Sequence, residues 1–133
     1  MTVPGIEFNA KTIRKGPMFD GRTAMAMRTY ADQVGYKVAT YAEDQVHQRL
    51  HQVLQNPTGY YESRISVERA GSGYRVTDGD VIYGPWLEGT GSRNQTTRFK
   101  GYQTFRRTKA LVDRKAPNIA AELLARYKAM GLI

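Results

Sequence analysis

The chain has 133 residues, no cysteine and a formal net charge of +8. The length suits a single domain, and the missing thiols exclude a disulfide framework and any thiolate metal site. Nine tyrosines, four phenylalanines and a tryptophan exclude wholesale disorder.

Residues 1–19 hold Pro4, Gly5, Gly16 and Pro17 among scattered apolar side chains. They read as an N-terminal arm with a short extended piece, "IEFNAKTI", preceding a single domain over 20–133. The opening "MTVPGIEFNAKTIRKG" lacks the apolar core of a secretory signal. No apolar run reaches the ~18 residues of a membrane span. A soluble protein made in the cytoplasm is expected.

Asp20 is the N-cap candidate for a long helix. From Arg22 to Gln55 there is no proline, and Met27, Ala31, Val34, Val38, Tyr41, Ala42, Val46, Leu50 and Val53 recur at steps of three and four. Gly35 weakens the middle by about 1 kcal/mol relative to alanine and suits a bend or a close approach. "NPTG" at 56–59 ends the helix.

Three short strands are expected next. "YYESRISVER" alternates, with Tyr61, Ile65 and Val67 on one face. "GYRVTD" follows a Gly-Ser turn, and "DGD" at 78–80 reads as a hairpin turn. "VIYGPWL" reads as a third strand, apolar at its start, with Pro85 forcing its end to an edge or bulge. A long loop, 89–103, comes next. A helix from Thr104 to Met130 then presents Leu111, Ile119, Leu123, Leu124 and Tyr127, with Pro117 either kinking it or opening a new helix. The expected fold class is α+β. A long N-terminal amphipathic helix packs on a small antiparallel sheet of about three to four strands, followed by a long loop and a C-terminal helix.

The charge is unevenly placed. Between Tyr83 and Lys115 stand Arg93, Arg98, Lys100, Arg106, Arg107, Lys109, Arg114 and Lys115 against Glu88 and Asp113, which is +6 of the total +8. Such a field attracts nucleic acid or an acidic protein face. Basic residues interleaved with Phe99, Tyr102 and Phe105 serve either partner, by stacking bases or by building a protein interface.

Catalytic and metal chemistry find little purchase. His47 and His51 share a helix face, but Gln48 stands where a zinc protease needs glutamate, and no third ligand is evident. Two surface histidines are the plainer reading. Asp78 and Asp80 flank Gly79 in a turn that explains them without magnesium. "GTGSRN" lacks the rest of a dinucleotide or phosphate-loop fingerprint. No serine stands in a nucleophile elbow. Glu88 is expected to pair with an arginine and orient the loop rather than act as a base. No enzyme, cofactor or metal is expected.

One stretch, "VIYGPWLEGTGSRNQTTRFKGYQTFRRT", resembles the neck and tail-completion proteins of long-tailed bacteriophages. The similarity lies in Tyr83, Gly84, Trp86, Leu87, Glu88, Gly89 and Thr90, then Phe99, Tyr102, Phe105 and Arg106. The order of arm, long helix, small sheet, loop and final helix also agrees. In many relatives a proline-rich stretch precedes the last helix, where this chain has "RNQTTRFKG". The resemblance implies a structural virion protein at the head–tail junction. It would form a ring, six-fold in that family, between neighbouring neck and tail proteins. The tail terminator and the stopper of the same neck are the near alternatives, and a basic nucleic-acid-binding protein is the alternative of another class. On this reading Trp86, Glu88, Arg93, Phe99, Tyr102 and Phe105 serve subunit or partner contacts. Arg98, Lys100, Arg106 and Arg107 face packaged DNA, touching it without sequence preference.

Overall fold

The computed structural model describes residues 5–8, 21–54 and 59–133; for residues 7, 8 and 21–23 it describes the backbone alone. The rest of the arm, the Asp20 cap and the Asn56–Pro57 stop lie outside the described residues. The fold is α+β: a long helix packed on a three-stranded antiparallel sheet, with a second long helix closing the core.

β1 (Gly5–Phe8) lies within the stretch read as an arm and pairs antiparallel with the sheet. Helix α1 (Gly21–Val53) follows the expected periodicity, and its Tyr30, Ala31, Val38, Ala39, Ala42, Val46 and Leu50 are buried. Next, "YYESR" departs from expectation. It forms a short helix, α2 (Tyr60–Arg64), and β2 begins only at Ser66 and runs to Ala70. Gly59, at φ 83°, turns the chain into α2. One helical turn buries Tyr61 and then Ile65 just as alternation would, so the apolar pattern did not separate the two.

β3 (Gly73–Thr77) sits between the other strands in the order β1-β3-β2. Ile6 and Val67 both stand opposite Val76, so an apolar row crosses the sheet beneath α1. Gly35 brings the helix close here: a Cβ on it would lie 3.3 Å from the Tyr74 ring. One turn earlier, Asp32 accepts the Tyr74 hydroxyl at 2.9 and 3.0 Å and Arg69 Nη2 at 2.9 Å. Arg69 also lies 4.8 Å over the Tyr74 ring, so one carboxylate ties α1 to β2 and β3.

Helix α5 (Thr104–Ala129) is continuous through Pro117. Its inward row is Phe105, Thr108, Val112, Ala116, Ile119, Leu123 and Tyr127, at steps of three and four. Leu111, expected in the core, is 40% exposed because Val112 occupies that row. Against α1, Tyr30 meets Tyr127 edge-on at 5.5 Å and donates to the Ala120 carbonyl at 2.8 Å, while Tyr127 donates to Gln33 at 2.7 Å. Pro117 is exposed and removes one helical hydrogen bond. Pro117→Ala is therefore expected to stabilise the fold by about 1–3 kcal/mol, read as a higher urea midpoint at unchanged slope. An unchanged midpoint would contradict this.

Candidate functional site

The run "VIYGPWL" is not a strand. After β3 the chain turns through Gly79 (φ 68°) and Asp80 (φ 62°) into a one-turn helix, α3 (Gly84–Glu88), with Pro85 in its first turn. Proline lacks a ladder donor but is preset for a helix start. Gly89, at φ 102°, caps the helix and donates to the Pro85 carbonyl at 2.9 Å. The "DGD" turn therefore leads into a helix instead of joining two strands.

A buried carboxylate anchors this turn. Asp78 is fully buried, accepts the Tyr61 hydroxyl at 2.9 Å and takes the Asp80 N–H at 3.1 Å. Gly84 leaves room for it: a Cβ there would fall 2.0 Å from Asp78 Oδ2. The anchored turn presents Ile82, 90% exposed, and Tyr83, 43% exposed. Tyr83 leans on the Tyr61 ring at 5.7 Å.

The segment expected as a long loop is compact. Its two ends touch where Gly89 and Gly101 pack backbone to backbone, and a Cβ on Gly101 would sit 2.2 Å from Gly89 Cα. The Tyr102 N–H donates to the Leu87 carbonyl at 2.6 Å, and the Gln103 N–H to the Glu88 carbonyl at 3.2 Å. Between these ends runs a short helix, α4 (Arg93–Thr96), around the buried Asn94. The Asn94 amide donates to the carbonyls of Trp86 and Phe99 at 3.0 and 3.1 Å, and its oxygen takes the Gly91 N–H at 3.0 Å. Trp86, Phe99 and Tyr102 meet in sequence, the first pair tilted and the second edge-on, with centroids 4.9 and 5.0 Å apart. This is a self-packed Ω-loop.

Glu88 has a different partner from the one expected. It is 8% exposed and accepts the N–H of Phe105 at 2.9 Å on Oε1 and of Arg106 at 3.1 Å on Oε2. Its hydrogen-bond partners are thus backbone amides, not an arginine. α5 has no capping side chain at Gln103, which stands at φ 54°; Glu88 supplies that cap from across the loop.

The candidate contact residues divide accordingly. Glu88 and Phe105 face inward and hold the surface up. Trp86, Phe99 and Tyr102 are half-buried, with Arg93 lying 6.0 Å over the Trp86 ring. The candidate DNA-facing residues Arg98, Lys100, Arg106 and Arg107 are all exposed, and Lys100 also donates to the Asn94 carbonyl at 2.7 Å and fastens α4. His47 Nε2 lies 3.0 Å from the Glu62 carbonyl oxygen and His51 is exposed. Among the described residues, no group of three histidines or carboxylates could hold a metal.

Sequence reasoning missed a groove of about 440 Å³ between α1 and α5. Arg49, Arg107 and Arg114 line it, with Gln48, Gln52 and Leu111. Among the described residues, no carboxylate lines it. Lys109 and Asp113, on neighbouring positions of α5, pair with each other at 3.1 Å. Arg49 Nε is buried without a hydrogen-bond partner. The two sides of the groove stand 55 and more positions apart in the chain, so no local pattern signals the cluster.

Burial raises the pKa of Asp78 above 3.8 and, against the pull of the helix amides, that of Glu88 above 4.5. A carboxyl that holds its proton more tightly folded than unfolded makes the folded state bind more protons between its unfolded and its folded pKa. Stability therefore falls as pH climbs from about 4 through the raised value. Asp78→Asn is expected to flatten this decline in melting temperature. Its amide donates to the Tyr61 oxygen while its carbonyl still accepts the Asp80 N–H. An undiminished slope would remove Asp78 as its source.

No described helix is long and apolar enough to cross a membrane. Set against protein-family models, curated proteins and solved structures, the chain matches none of them.

Proposed function

We propose that this chain is a structural subunit of the head–tail connector of a long-tailed phage, acting in tail completion as a ring that joins head to tail. Tail terminator and stopper of the same neck are the near variants of this reading. The observation that supports it most directly is the build of the 83–107 segment. The positions that carry the phage resemblance fall at its structural joints: Gly84 against Asp78, Glu88 on the α5 amides, Gly89 against Gly101. The result is a fixed platform with half-buried aromatics and exposed arginines at its surface, the composition of a protein interface core and rim. It is made in the host cytoplasm and ends in the virion, without cofactor or catalysis.

The test is deletion of the gene from its source phage, with the lysate viewed by electron microscopy. Full heads beside separate tails of normal length are expected. Tails of uncontrolled length would assign the terminator instead, and normal infectious particles would end the neck reading.

The second reading, nucleic-acid binding, is favoured by one observation, the arginines that have no ion pair among the described residues. Charge reversal of Arg98, Arg106 and Arg107 separates the two, with Lys100 spared because it holds α4. Loss of tight, steeply salt-dependent duplex binding would establish the second reading. Failed particle joining without such binding supports the first.

A further inference from the structure

The Asp80–Tyr83 knuckle has a carboxylate to set against the groove's guanidinium groups, in a turn where a Cβ on Gly79 would also lie 3.1 Å from Arg64 Nη2. The groove offers Arg49, Arg107 and Arg114 around the half-exposed Leu111. The knuckle offers the exposed Asp80 carboxylate beside Ile82, the most exposed large apolar side chain among the described residues. Among the described residues no carboxylate lines the groove, and Ile82 is left 90% exposed. The knuckle is held rigid by Asp78, Tyr61 and the Gly84 contact, so little ordering is lost when it binds.

We propose that the knuckle of one copy of this chain docks in the arginine groove of the next, with Asp80 meeting the guanidinium groups and Ile82 covering Leu111. The proposal rests on the assembly reading and gives it a specific contact. Donor and acceptor surfaces are made of different residues, so the contact is heterologous and propagates around a ring. A duplex backbone suits the groove less well. Arg49 is recessed, with its Nε out of reach of water and its Nη2 only 3.5 Å from the Tyr102 carbonyl oxygen.

Sedimentation of the full chain tests this with two variants, Ile82→Lys and the pair Arg107→Glu with Arg114→Glu. All three positions are exposed, so the fold is expected to survive, and circular dichroism checks that it has. Wild type is expected to associate as its concentration rises, and each variant to associate at least about tenfold more weakly. An equimolar mixture of the two variants is the decisive arm. The intact knuckle of one then meets the intact groove of the other, and association returns but stops at dimers of the 15.0 kDa chain. A mixture that stays monomeric, variants that associate like wild type, or a wild type that stays monomeric throughout would overturn the contact. Duplex DNA bound by wild type and Ile82→Lys but not by the arginine variant would also overturn it, giving the groove to a polyanion. A phage carrying Ile82→Lys separates the two levels. If it assembles normally while the deletion does not, the contact is wrong and the assembly reading stands.

Discussion

Gly101→Ala is expected to lower the unfolding free energy by roughly 3 kcal/mol or more, among the larger effects of single substitutions. Two costs combine. Gly101 stands at φ 88°, where an L-residue is strained. An added Cβ would also lie 2.2 Å from Gly89 Cα and N and 2.4 Å from the Glu88 carbonyl carbon. These atoms are backbone and cannot swing away. For a domain of this size each 1 kcal/mol moves the melting temperature by about 2–8 °C, so a drop of order 10 °C is the expected reading. Gly71→Ala is the control, since Gly71 also has positive φ, 59°, but nothing within 4 Å of its added Cβ. Equal losses in the two variants would mean that conformation alone matters and that the two loop ends are not pinned together.

Glu88→Ala is expected to cost about 2–4 kcal/mol. It removes the cap of α5 and leaves the Phe105 and Arg106 amides without an acceptor, one in a buried position and one in a partly buried position. A lost cap costs about 1 kcal/mol and a bare buried donor about 1–3. Glu88→Gln keeps one acceptor oxygen and turns an amide group toward the other N–H, so about half the loss is expected. Hydrogen exchange localises the effect: Phe105 and Arg106 should lose protection well before Val112 does. Uniform loss along α5 would instead point to a packing defect.

The two long helices were legible because each repeats its apolar residues over many turns, and such a signal survives local errors. α3 was not. "VIYGPWL" is apolar enough for a strand and too short for periodicity to decide. The deciding marks were Pro85, preset for a helix start, and Gly89, suited to its end; read as a pair four residues apart, they frame one turn of helix. For Leu111 and Val112, adjacent apolar residues left the phase of α5 open, and only Phe105 and Thr108 upstream fix it. The candidate site was legible as composition and not as geometry. Glycines and aromatics between 84 and 105 marked a special loop, but its compactness comes from Asn94, whose three hydrogen bonds exist only once both ends have met. An asparagine in a polar loop carries no sign of that. Glu88 was recognised as structural, yet its partners are main-chain amides 17 and 18 positions away, invisible to any search for an opposite charge.

The central strand receives its two neighbours by very different routes. β2 reaches β3 through the two-residue link Gly71–Ser72, whereas β1 reaches it across 70 positions, with Ile6 opposite Val76 and the whole of α1 in between. A short link closes quickly and a long one slowly, because closure entropy grows with the chain to be restrained. The sheet is therefore expected to assemble in order, with the β2–β3 hairpin first and β1 last. On opening the order reverses, and the four residues of β1 leave before the hairpin does. Every intermediate that has lost β1 bares one edge of β3, so the time between hairpin closure and β1 docking is when the young chain is open to strand addition from its neighbours.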